Sequence, residues 1–125
     1  MSNDIKNLRI EALEWAERNL VGKQIFSTPI QKFIYFSGNG VDHALSNNYE
    51  YAEIEFKIIK QLPRILLEAQ YAGDEKNYKK SKLGRERFHT FYTLAEVDGI
   101  LHKVWIKAIE YTNKRIYFYD FGIAK

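Results

Sequence analysis

The sequence predicts an α+β fold in which helices pack on one face of an antiparallel β-meander. Three observations carry that expectation. Asp98-Gly99, a two-residue hairpin turn of the strongest sequence type, separates two long alternating runs. Nine Tyr and eight Phe, residues that favour strands, stand against a single Met. Ahead of the aromatic C-terminal third, apolar residues recur at helical spacing.

A chain of 125 residues holds one hydrophobic core, so a single domain over residues 1–125 is expected, with an N-terminal helix in 1–22 and an α+β region over 32–121. Apolar residues make up 46% and charged residues 28%, the balance of an ordinary globular chain. There is no Cys, which excludes disulfides, thiolate nucleophiles and cysteine zinc sites. Asp4, Lys6, Arg9 and Glu11 interrupt any secretory apolar segment, and no apolar run approaches the ~20 residues of a membrane span. A cytoplasmic protein without a membrane partner is the expectation. The net charge of +3 permits a polyanionic partner, and Lys76, Lys79, Lys80, Lys82, Arg85 and Arg87 gather six of the nineteen cations into one stretch.

Along the chain, Ser2 or Asn3 caps a first helix in which Ile5, Leu8, Ala12, Trp15 and Ala16 share a face, and Leu20-Val21-Gly22 ends it. Residues 23–26 read as a short strand before Thr28-Pro29, and Lys32 to Phe36 as a second. Ser37-Gly38-Asn39-Gly40 is turn chemistry. Val41 to Leu45 forms a helical turn interrupted at Asn47-Asn48. A helix follows with Tyr51, Ile54, Ile58 and Leu62 on one side, and Pro63 opens a further helix that runs to about Gln70. Gly73 to Gly84 reads as a charged, exposed connector.

Glu86 to Val97 and Ile100 to Tyr111 then flank Asp98-Gly99, and a third strand covers Arg115 to Phe121. The turn fixes a register. Val97 faces Ile100, Ala95 faces His102, Thr93 faces Val104, Phe91 faces Ile106 and His89 faces Ala108, giving a nearly apolar face for the helices. The opposite face pairs Leu94 with Lys103, Tyr92 with Trp105 and Thr90 with Lys107, a mixture of aromatic rings and cations. A two-residue second turn at Asn113-Lys114 sets Tyr119 beside Ala108 and Asp120 beside Lys107.

Three histidines exist. His89 and His102 lie about 20 Å apart along the sheet, too far to share a metal or a proton. No HExxH, carboxylate-rich loop or phosphate-cradling loop is present, so neither a catalytic metal nor a cofactor is expected. Each candidate has a plainer alternative: His89 and His102 as satisfied strand residues, His43 as a surface residue at a helix start, the basic stretch as a solvated connector. Tyr92 and Trp105, beside Lys103 and Lys107, suit base stacking and phosphate binding unless another element covers them.

The order of Phe36-Ser37-Gly38-Asn39-Gly40-Val41-Asp42-His43-Ala44-Leu45, a helix ending in Leu62-Pro63-Arg64-Ile65-Leu66-Leu67-Glu68-Ala69, a charged spacer, Phe88-His89-Thr90-Phe91-Tyr92, Val97-Asp98-Gly99 and Ile116-Tyr117-Phe118-Tyr119-Asp120 resembles the phage-associated nuclease domains of the barnase–EndoU–colicin–RelE-like group. The resemblance covers residues 32–121. It implies a barnase/RelE-like α+β fold and metal-independent RNA cleavage. In that chemistry a 2′-hydroxyl attacks its neighbouring phosphate, served by a base, an acid and a cation. His43 and His89 match its histidine positions and Tyr119 its C-terminal aromatic. After Asp120, where such domains often carry another His, this chain has Phe121.

The expected function is thus a toxin-like or phage-associated ribonuclease, with His43, His89, Tyr119 and Lys107 as catalytic residues. Arg85, Arg87, Tyr92, Lys103 and Trp105 contact the nucleic acid, and Lys107 or Arg87 stabilises charge. RNA, a cognate inhibitor and a larger phage polyprotein are the implied partners. A non-catalytic RNA- or protein-binding module, or an immunity or assembly protein, is the alternative.

Overall fold

The computed structural model describes residues 3–46, 51–76 and 84–124. Helix α1 (Asn3–Asn19) is followed by β1 (Gln24–Ser27), β2 (Lys32–Tyr35), α2 (Gly38–Ser46), α3 (Ala52–Ile58), a 3₁₀ turn (Ile59–Gln61), α4 (Leu62–Glu68), β3 (Gln70–Lys76), β4 (Arg85–Val97), β5 (Ile100–Tyr111) and β6 (Ile116–Ile123). The strands form one six-stranded sheet in the order β1-β2-β6-β5-β4-β3. The fold is α+β as expected. Its sheet is mixed, because β2 pairs with β6 in parallel through Ile34–Ile116 and Tyr35–Tyr117.

The meander register follows the Asp98-Gly99 turn, whose two positive φ values of 52° and 80° match the right-handed strand twist. Phe91 pairs with Ile106, Tyr92 with Trp105 and His89 with Ala108. Phe91, Ala95, Val104, Ile106 and Ala108 are buried on the helix side with Ala16, Ile58, Leu62, Ile65 and Leu66. Leu94, on the other face, is 54% exposed while Phe91 is fully buried, the alternation that a sheet covered on one side produces.

Several expectations are corrected. Ser37-Gly38-Asn39-Gly40 is the start of α2 rather than a turn, with the Ser37 hydroxyl accepting from the Gly40 N–H at 3.1 Å. The last part of the presumed helix and the first part of the presumed connector are strand β3, paired with β4. Its charges fit an edge strand, which they protect from further pairing. The second hairpin has a three-residue loop, with Tyr111 N–H bonded to the Arg115 carbonyl at 2.9 Å and Lys114 at a positive φ of 71°. Phe118, not Tyr119, therefore pairs with Ala108. A bulge at Tyr119 then restores the expected Lys107–Asp120 pair. The Ser2 cap, the Asn47-Asn48 interruption and Lys79, Lys80 and Lys82 lie outside the described residues.

Candidate active site

Two β-bulges shape the candidate site on the face of the sheet away from the helix core. In β6, Phe118 pairs with Ala108 and Phe121 with Ile106, both on the core side, so Tyr119 and Asp120 between them both turn outward. In β4, Arg85 pairs with Tyr111 and Arg87 with Glu110, leaving Glu86 as the extra residue. That bulge turns Arg85 onto the outer face, where strict alternation would have put it with Arg87 and His89 on the other.

Helix α2 supplies the third part. Beyond Tyr117 the edge of β6 is no longer paired with β2, and α2 lies against it. Gly40 permits the approach, since a Cβ there would stand 2.3 Å from the Phe118 carbonyl oxygen. Val41, Ala44 and Leu45 face the core, and His43 is delivered to the rim of the outer face.

The His43 ring stacks on Tyr119, with centroids 4.1 Å apart and planes at 21°. Its Nε2 lies 3.5 Å from Asp120 Oδ2, and its side chain keeps 35% exposure against 17% for Asp120. The other carboxylate oxygen of Asp120 accepts the Phe121 N–H at 2.8 Å, which fixes the group in its direction towards His43. Arg85 lies over the Tyr119 ring, its guanidinium carbon 5.0 Å from the centroid. His43, Tyr119 and Arg85 line an open cleft of about 710 Å³, to which Ser37, Asn39 and Asn113 add polar atoms. A partly exposed imidazole oriented by a carboxylate, with a phenol and a guanidinium beside it, can exchange a proton with a bound anion and balance its charge.

Lys107 joins this cluster from β5, opposite Asp120, with its ammonium 5.5 Å from the Phe88 ring centroid, and Phe88 is 6.5 Å from Tyr119. Tyr92, Lys103 and Trp105 lie further along the same face, with Lys103 4.7 Å above the Tyr92 ring. His102 pairs with Ala95 near the hairpin tip.

His89 and Arg87 are not part of this cluster. Phe88 points to the outer face with Lys107 and Tyr119, so its neighbours in the strand point to the opposite face. His89 is buried there, 7% exposed, with Nδ1 2.8 Å from the Tyr71 hydroxyl and Nε2 2.8 Å from Glu110. Arg87 hydrogen-bonds Asp74 at the margin of the same network. The sheet separates His89 from His43, and the structure groups His43 with Tyr119, Arg85 and Lys107. Sequence reasoning placed Asp120 opposite Lys107 without recognising it as the partner of His43. It missed Glu110 and Tyr71 as the partners of His89. Phe121 packs into the core, so a side chain at that position does not reach the cleft.

The chain belongs to the large polyvalent protein-associated domain 3 family, whose model matches residues 3–118. The assignment agrees, at the level of the family, with the expected association with a phage polyprotein, and it extends neither to nuclease activity nor to RNA. No curated protein and no solved structure matches the chain. Among the described residues, no helix is long and apolar enough to cross a membrane.

Proposed function

We propose that this large polyvalent protein-associated domain is a metal-independent endoribonuclease acting through the His43 cleft. The observation that supports the reading is His43 held between the Tyr119 ring and the Asp120 carboxylate, with Arg85 beside them. The neutral imidazole takes the proton of an RNA 2′-hydroxyl, and Asp120 stabilises the imidazolium that forms. The 2′-oxygen forms its bond to the adjacent phosphorus, and Arg85 and Lys107 offset charge developing on the phosphate oxygens. As the bond from phosphorus to the 5′-oxygen breaks, that oxygen takes the Tyr119 hydroxyl proton. The products are a 2′,3′-cyclic phosphate and a 5′-hydroxyl. His89 serves the fold in this reading, through its buried pair with Glu110.

The chemistry is tested by end-group analysis of RNA cut in EDTA, with a matched substrate carrying 2′-deoxyribose at the scissile nucleotide. Cyclic phosphate ends and an uncut deoxy substrate are expected. Cleavage of the deoxy substrate, or 5′-phosphate ends, contradicts the mechanism. Binding of RNA without cleavage by the folded protein gives the reading to a non-catalytic module.

A further inference from the structure

The outer face of the meander continues past the cleft as an open strip of rings and cations. On β4 the outward residues are Phe88, Thr90, Tyr92 and Leu94, and on β5 they are Lys107, Trp105, Lys103 and Leu101. The Trp105 indole packs over β6 at Gly122, where a Cβ would stand 2.6, 2.8 and 2.9 Å from its Cζ2, Cε2 and Nε1. Trp105 is half-buried, as is its cross-strand partner Tyr92. Each of the other two rings carries an ammonium, Lys107 at 5.5 Å from Phe88 and Lys103 at 4.7 Å from Tyr92. From Phe88 to Tyr92 the strip runs four residues, about 13 Å.

We propose that this strip is a track for single-stranded RNA that leads into the His43 cleft, with Phe88, Trp105 and Tyr92 receiving bases and Lys107 and Lys103 their phosphates. The proposal rests on the ribonuclease reading for its ligand and deepens it by naming unpaired RNA as the substrate class. Rings that stand on a sheet surface reach the faces of bases only where those bases are not stacked in a duplex. The lysines, on flexible stems, leave the ring faces for phosphate oxygens as bases arrive. Carboxylates bound the strip without interrupting it: Asp120 at the cleft end, Glu75 opposite Phe88 on the edge strand, Glu68 and Glu96 at the far rim. Lysines alternating with rings suit a polyanion, whereas the centre of a protein–protein interface is depleted in lysine.

The test is fluorescence anisotropy of a labelled RNA decamer, alone or annealed to its complement, titrated with the full chain carrying His43→Ala so that binding is read without cleavage. The single strand should bind at least about tenfold more tightly than the duplex. The logarithm of affinity should fall with the logarithm of salt at a slope of about −2, as expected for Lys103, Lys107 and the cleft's Arg85 on a single strand. Tyr92→Ala and Trp105→Ala should each weaken binding about fivefold or more. Lys103→Gln with Lys107→Gln, surface changes that leave packing intact, should flatten the salt slope even if Trp105→Ala fails to fold. Equal affinity for single strand and duplex, or a lysine double variant with the wild-type slope, overturns the track. Loss of the track with cleavage retained leaves the ribonuclease reading standing. Ring-dependent single-strand binding by a wild type that cleaves nothing does the reverse. Binding of a protein with no RNA binding at all overturns the track in favour of a protein interface.

Discussion

At the scale of single residues, two histidines that look equivalent in the sequence have opposite surroundings. His43 is at the rim of an open cleft, and His89 is enclosed between Tyr71 and Glu110. Removing Asp120's charge with Asp120→Asn should leave the fold intact and lower RNA cleavage about tenfold or more, since the imidazole loses the group that orients it and stabilises its protonated form. Steady-state cleavage with circular dichroism of the variant checks this. His89→Ala should act differently. It leaves Glu110 buried without its ring partner and should cost about 3 kcal/mol in urea unfolding, while the rate per folded molecule stays near wild type. A large loss of rate at unchanged stability would move His89 into the chemistry.

At the scale of elements, the site depends on close approaches that only glycine permits. Gly40→Ala places a methyl against the Phe118 carbonyl, so α2 must shift away from β6 and carry His43 off Tyr119. Cleavage should fall together with the thermal midpoint, and the upfield ring-current shifts of the His43 protons should diminish by NMR. The elements themselves were legible in the sequence where local chemistry specifies them. Asp98-Gly99 set the β4–β5 register because both residues must adopt positive φ, and Pro63 marked the start of α4 because it fits the first turn of a helix. The bulges at Glu86 and Tyr119 were not legible, since no residue type demands them. The Lys107–Asp120 pair emerged from two offsetting one-residue differences, a longer loop and a bulge. β3 was missed because its polar residues give an edge strand no apolar alternation. The parallel β2–β6 pairing joins segments about eighty residues apart, where local pattern carries no information. The cleft therefore existed in the sequence as separate residues, and its assembly came from non-local pairing.

At the scale of the whole molecule, surface ion pairs tie the edges of the sheet and helices together, and they set how stability responds to pH. The Arg87 guanidinium hydrogen-bonded to Asp74 holds that carboxyl below the ordinary range, Lys114 does the same to Glu86, and Lys60 to Glu11. Carboxyls depressed in the folded state contribute stability that is present above their unfolded values near pH 4 and lost as pH falls through the folded ones. Urea midpoints should therefore decline from about pH 5 downward, gently, because exposed pairs add little each. Asp74→Asn should lower the midpoint at neutral pH and make the acid decline shallower. Burial pushes the Tyr71 hydroxyl in the opposite direction, upward, so its contribution is intact below about pH 10 and lost above it.

The central claim is that an endoribonuclease site is built where α2 meets the β6 bulge, with His43 as its proton-transfer group. The most direct measurement is the single-turnover rate of cleavage of a single-stranded RNA in EDTA by wild type and by His43→Ala, each shown to be folded. The claim predicts metal-independent cleavage by wild type and a loss of about 10²–10⁴-fold in the variant. Equal rates for the two proteins, or no cleavage by wild type, would contradict it.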